Sequence, residues 1–267
     1  APDELAAYYP GDYWYTPGRG LAGRLEQAYR RLVLRDHARF VRRAIRDAGV
    51  SGFVLDVGCG SGLLLSRLKP DGARVLGLET SPKAASIAWR ANGIPCACGD
   101  LARAPFPDGS CSVVTMFHVL EHLAKPAEYV ASAHRLLAQD GRLVVQSPNV
   151  ACWQFLLLGE LWRGLDVPRH LIDFRASDLE ALLDSCGFEV VRRKHFSLRD
   201  NPSAFATSIA PGLDPALRPA LAGRERPTLN LMKSVLYMAL VAAAVPFSAL
   251  EAACRAGATV MLEARKK

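Results

Sequence analysis

The stretch Phe53-Val-Leu-Asp-Val-Gly-Cys-Gly-Ser-Gly62 narrows the folds open to this chain more than any other. A short apolar run of this kind reads as a buried strand, and the glycines directly after it allow a tight turn in which a ligand lies against bare backbone. A helix is expected to open at about Leu63, with its first N–H groups directed at that ligand. Glu79 follows 21 residues after Gly58, at the end of the next apolar run, where a carboxylate can accept hydrogen bonds from both hydroxyls of a ribose. Turn and carboxylate together point to a nucleoside-containing cofactor. The spacing is not the G-x-G-x-x-G of dinucleotide sites, because Gly62 arrives one position early. Asp56 at the strand end would also repel a pyrophosphate, so a cationic ligand suits the turn better.

The rest of the chain supplies the sheet that such a turn needs. Short apolar runs at 53–57, 74–78, 94–98, 113–117 and 143–146 alternate with helical stretches, and further strands are expected at 188–196 and 258–264. Alternation of this kind implies parallel strands joined by crossovers. The expected fold is α/β, a doubly wound and mostly parallel seven-stranded sheet with its ligand crevice at the carboxyl ends of the strands. A length of 267 residues suits one such domain with additions, and 50% hydrophobic with 22% charged residues excludes a disordered or collagen-like chain. The expected organisation is an aromatic arm and basic helix over 1–49, a cofactor-binding core over 50–198, a helical insertion or cap over 199–256, and a final strand over 257–267.

Tyr8, Tyr9, Tyr13, Trp14 and Tyr15 sit among Pro and Gly, and we expect this arm to fold over the crevice. Helical spacing over 21–48 leaves eight arginines as a solvated face, with Gly49 as the stop. Seven scattered cysteines without a C-x-x-C pair are read as reduced thiols, and residues 1–20 lack a secretory pattern, so a cytoplasmic location is expected. Residues 234–250 carry no charge; as a helix they would span about 25 Å against a hydrocarbon core of about 30 Å. Pro246 is expected to interrupt that helix, so a membrane-spanning segment is not expected. The apolar stretch has three explanations: a buried helix pair over the active site, a dimer contact, or peripheral membrane contact through 229–256.

The run Val54-Leu-Asp-Val-Gly-Cys-Gly-Ser-Gly62 resembles, almost letter for letter, the first motif of class I methyltransferases that use S-adenosylmethionine, in particular the small-molecule ubiquinone-pathway, type 11 and type 23 domains. The resemblance continues through Phe106–Ser110, the strand at 113–117, His118-Val-Leu-Glu-His122 and Gly141–Asn149, and covers roughly 53–189. It implies S-adenosylmethionine as cofactor, with Asp56 and the backbone of Gly58, Cys59, Gly60 and Gly62 at the methionyl part, Glu79 at the ribose and Asp100 at the adenine amino group. Thr80, Leu101 and His118 complete the expected cofactor contacts. The chain departs from the family pattern at Ser112, often Asp, and at Gln139-Asp140-Gly141, often Pro-Gly-Gly. Neither departure touches those contacts.

The implied activity is methyl transfer to a small-molecule or glycan acceptor, lipid-linked in one version, with oxygen as the expected atom. Positioning supplies most of the catalysis of such a transfer, and a histidine base would assist a hydroxyl acceptor. His118, His122 and His170 are the candidates, the first two sharing a face if 118–122 is helical. His118-x-x-Glu121-His122 also spells the pattern of inverted zinc peptidases and is similar to the Glu-x-x-Glu-His stretch of ubiquinone-pathway O-methyltransferases, which is associated with a divalent metal. His118 stands where that stretch has its first carboxylate, and no metal site is expected. A net charge of +7 raises nucleic acid as an alternative partner, ranked lower because no Asn/Asp-Pro-Pro-aromatic motif follows the fourth strand. A cofactor-binding domain without catalysis is the third reading.

Overall fold

A computed structural model of the chain describes residues 21–215 and 227–267. The aromatic arm Tyr8–Tyr15 and the middle of the insertion lie outside the described residues. Helix α1 (Leu21–Ala48) leads into β1 (Phe53–Val57), α2 (Leu65–Leu68), β2 (Val75–Glu79), α3 (Pro82–Asn92), β3 (Cys96–Cys98), β4 (Cys111–Phe117), α4 (Pro126–Leu136) and β5 (Leu137–Pro148). There follow α5 (Trp153–Leu158), α6 (Ala176–Ser185), β6 (Phe188–Lys194), α7 (Asn201–Ile209), α8 (Pro227–Ala253) and β7 (Thr259–Lys266).

The sheet has seven strands in the order β3-β2-β1-β4-β5-β7-β6. All pairings are parallel except those of β7, which runs antiparallel between β5 and β6. This is the expected doubly wound sheet, with the order reversing between β1 and β4, where open α/β sheets place their ligand crevice. Alternation along each strand builds two cores. Leu55, Val57, Val114, Met116, Leu143 and Val145 face α4 and α6, whereas Val54, Val113 and Val144 face α1 and α2. Period-two alternation between two apolar layers explains why these strands read as continuous hydrophobic runs.

Three expectations need correction. The helix after the glycine turn starts at Leu65 rather than Leu63 and lasts only four residues. Residues 118–122 do not form an α-helix: His118 takes a positive φ of 55° and Leu120–His122 make a single 3-10 turn. The insertion helix is not interrupted, because α8 runs through Pro246. Pro246 and Ala242 both lie on the exposed side, so the carbonyl that proline deprives of its partner faces water.

The insertion returns the chain to the sheet through one close crossing. Asn201, at the start of α7, donates its side-chain N–H to the His195 carbonyl at 3.0 Å, and Asn149 donates to the Gly257 carbonyl at 2.9 Å. A Cβ on Gly257 would sit 1.8 Å from the His195 oxygen. Gly257 is not in the positive-φ region, so only this contact demands glycine there. Gly257→Ala is therefore expected to lower stability by about 2 kcal/mol or more, read as a fall of about 4–8 °C in Tm by circular dichroism. An unchanged Tm would show that the crossing is not tight.

Candidate active site

The tips of the parallel strands carry a row of carboxylates. Asp56 lies near the end of β1, 4% exposed, and accepts a hydrogen bond from the Thr115 hydroxyl of β4 at 2.6 Å. Burial pushes its pKa up to about 7; the Thr115 bond opposes the rise, and Glu79 adds to it. Glu79 ends β2, equally buried, and accepts from the Gly60 N–H at 3.0 Å, the Ser81 N–H at 3.0 Å and the Thr80 hydroxyl at 3.3 Å. Asp100, past β3 and exposed, accepts from the Ala102 N–H at 2.7 Å and the Tyr129 hydroxyl at 2.8 Å. The Leu101 side chain is in the core, so only its backbone can face a ligand.

The glycine turn is held from β2. Gly58 and Cys59 donate their N–H groups to the Leu78 carbonyl at 2.8 and 3.3 Å, while Gly60 reaches Glu79. Gly58, Gly60 and Gly62 all have positive φ, and a Cβ on Gly58 would meet the Val119 side chain at 2.9 Å. The Cys59 thiol packs 3.5 Å from the Cys96 sulfur, and burial raises its pKa, so the residue contributes through its backbone. With α2 so short, any ligand here is held by turn backbone and carboxylates rather than by a helix end.

The three candidate histidines take different positions. His118 projects from the end of β4, its Nδ1 3.0 Å from Glu121 Oε1 and its Nε2 2.8 Å from the Gln146 amide and 3.5 Å from Asp200 Oδ1. Burial disfavours its charged form, but Asp200 and then Glu121 outweigh burial and push its pKa up to about 9. Both ring nitrogens are thus turned to protein groups. His122 is brought instead to His170, with ring centroids 4.7 Å apart in an edge-to-face arrangement. Burial lowers the pKa of His170, against the attraction of Glu121.

Asp200 is the residue that sequence reading missed. It precedes α7 in the insertion, accepts from the Gln146 amide at 2.7 Å and the Ser197 hydroxyl at 2.5 Å, and lies 3.6 Å from His37 Nε2 of α1. Burial works against its charge, yet Arg199 and His118 hold its pKa well below the carboxylate range. No local signal marks it: an Asp before Asn-Pro reads as an ordinary helix start.

A doubly wound sheet whose strand tips pair a glycine turn with carboxylates that accept from it is the architecture of a nucleoside-cofactor enzyme of the methyltransferase class. A family model described as "Methyltransferase domain" matches residues 26–193, and the chain belongs to this family. Among its relatives, a probable S-adenosylmethionine-dependent methyltransferase of Mycolicibacterium smegmatis is 32% identical over 179 residues, 66% of this chain and 65% of the relative. A ubiquinone biosynthesis O-methyltransferase of Pseudomonas paraeruginosa is 29% identical over 156 residues, 54% of this chain and 67% of that protein. The chain thus spans about two thirds of the length of these two relatives. The magnesium protoporphyrin IX methyltransferase of Synechocystis, solved with bound S-adenosylhomocysteine, shares the fold at a TM-score of 0.58 and 14% identity over the whole of both chains.

Family membership implies S-adenosylmethionine as cofactor, and the donor set fits it. The two oxygens of Glu79 offer about four acceptor positions, so capacity remains beyond its three protein donors. Asp56 is a buried carboxyl poised near neutrality, and a fixed positive charge beside it would favour its ionised form. Because the folded-state pKa of Asp56 is raised, folding favours its protonated form, and its ionisation erodes stability as pH rises from about 4 to about 7. Asp56→Asn, which keeps an oxygen for Thr115, is expected to raise stability at pH 8 by on the order of 2 kcal/mol and by much less at pH 5. Thermal unfolding across that range checks it; a gap independent of pH contradicts it.

Proposed function

We propose that the protein transfers a methyl group from S-adenosylmethionine to an oxygen of a small hydroxylated acceptor. The observation that carries this reading is the bond from the Gly60 N–H to Glu79, which sets a glycine turn against a carboxylate at adjacent strand tips. When bound, the cofactor supplies a methyl group already activated by a sulfonium. Asp56 lies where it would balance the positive methionyl end, Glu79 would accept from the ribose hydroxyls, and Asp100 would accept from the adenine amino group. The chain's remaining task is to hold the acceptor in line, within about 3–3.5 Å of the methyl carbon, and to exclude water.

His118 is tied on both nitrogens, so its part is to brace the acceptor side rather than to receive the acceptor's proton. His122 and His170 face each other across that side and are the groups for a hydroxyl to meet. Oxygen as the acceptor atom is supported by the relative named as an O-methyltransferase.

The outer side of α8 supports a lipid-linked acceptor. Its helix is the one among the described residues long and apolar enough to cross a membrane, and only 28% of its apolar window is buried. Tyr237, Val241, Ala244, Ser248 and Glu251 form its inward stripe, while Met232, Val235, Leu236 and Leu250 face out, so core packing accounts for one side of the helix only. Peripheral contact through this side requires no spanning helix.

Calorimetry is expected to detect binding of S-adenosylhomocysteine, weakened about tenfold or more in Glu79→Gln through loss of a charged acceptor. Absence of binding by the folded protein would overturn the reading, and transfer of labelled methyl to RNA rather than to a small acceptor would replace it. Co-sedimentation with anionic liposomes is expected at low salt and is expected to be lost when Val235 and Leu236 are both changed to Glu; a soluble wild-type protein would remove the membrane part alone.

A further inference from the structure

Two thiols meet beside the glycine turn. Cys59, in the turn itself, and Cys96, at the start of β3, place their sulfurs 3.5 Å apart although 37 positions separate them in the chain. The space for them is left by β2. Gly77 pairs with Cys96 across the sheet, and a Cβ on it would sit 2.5 Å from Cys59 Sγ and 3.2 Å from Cys96 Sγ. Gly77 lies inside a strand and has no positive φ, so the two sulfurs, not the backbone conformation, demand glycine there. Neither cysteine is fully buried, and Cys98, further along β3, is exposed.

We propose that Cys59 and Cys96 form a reversible oxidation site, at which hydrogen peroxide converts the two thiols into a disulfide that ties the glycine turn to β3. Bonded sulfurs lie about 2.05 Å apart, so the pair has about 1.5 Å left to close. Burial raises both thiols above their usual range; for Cys96 the hydrogen bond from Cys59 opposes the rise, whereas for Cys59 the charge of Asp56 adds to it. Cys96 is therefore the sulfur that ionises first. Its thiolate attacks one oxygen of the peroxide, the O–O bond breaks, and hydroxide leaves a sulfenic acid on Cys96. The Cys59 sulfur then attacks Cys96 Sγ and expels the second hydroxide. The two thiol protons turn both hydroxides into water, so two thiols are oxidised as one peroxide is reduced. In a reducing compartment thiols return the pair to its open form.

The bond would act on the cofactor through one neighbour. Cys59 adjoins Gly60, whose N–H is held on Glu79 at 3.0 Å, and drawing Cys59 towards Cys96 pulls that N–H off its carboxylate. The oxidised turn then no longer matches the cofactor. This consequence rests on the methyl-transfer reading; the oxidation site itself does not.

The test uses the full chain, treated with one equivalent of hydrogen peroxide and mapped by mass spectrometry without reduction. A Cys59–Cys96 link is expected, with loss of two of the seven thiols, faster formation as pH rises, and reversal by dithiothreitol. The link is expected to persist in Cys98→Ser and to vanish in Cys96→Ala. Calorimetry is expected to show S-adenosylhomocysteine binding at least about tenfold weaker after oxidation, in keeping with the loss of a charge-assisted hydrogen bond, and unchanged by peroxide in Cys96→Ala. No link, or a link of either cysteine to Cys98 instead, would overturn the proposal; a linked protein that binds as tightly as the reduced one would remove its effect on the cofactor. Failure of the reduced protein to bind S-adenosylhomocysteine would sink the methyl-transfer reading alone, because the mapped link is read without cofactor.

Discussion

The carboxylate of Glu79 holds the glycine turn to the neighbouring strand, and the rest of the site is arranged around that link. Positive φ at Gly58, Gly60 and Gly62 lets the backbone fold back on itself, but a turn so free of side chains has little packing to fix it. The Gly60 N–H bond to Glu79 and the Gly58 N–H bond to the Leu78 carbonyl supply that restraint from β2. Parallel pairing of β1 with β2 places the two groups side by side at the same edge.

Charge is concentrated along the same edge and balanced in two different ways. Asp56, sealed between β1 and β4, has one hydroxyl donor and rises towards neutrality. Asp200 is less completely buried, lies among His118, His37 and Arg199, and stays ionised. The first arrangement suits a carboxyl awaiting a cationic ligand, the second a fixed brace that joins α1, β4, β5 and the insertion. A similar brace, Glu263 between Arg142 and Arg192, ties the antiparallel strands together away from the strand tips.

Several parts of this were legible residue by residue. The strands ending at Val57, Glu79, Cys98 and Phe117 lie within a few residues of the expected limits; β1, β2 and β4 are buried on both faces, whereas β3 is a partly exposed edge strand. Helix α1 has the expected limits, and among its described side chains Val41 and Ala44 lie on the buried stripe and Arg42 is paired outward to Asp71, while Leu32 is exposed. Residues 118–122 failed as a helix because His118 turns to a positive φ between Glu121 and Asp200, a tertiary constraint that overrides i, i+4 spacing. Pro246 failed as a breaker because its side of α8 is exposed.

By itself the order of residues determined the sheet, the glycine turn with its carboxylate partner, and so the class of cofactor, since these rest on short-range periodicity and on fixed offsets between neighbouring strands. Tertiary structure decided which histidines face which partners. Asp200 reaches His118 from the insertion, and His170 reaches His122 from a separate loop, by contacts between residues whose separation along the chain carries no pattern. A local spacing rule records only what one strand, turn or helix can bring together; the histidine and carboxylate contacts beside the strand tips are assembled across several of them.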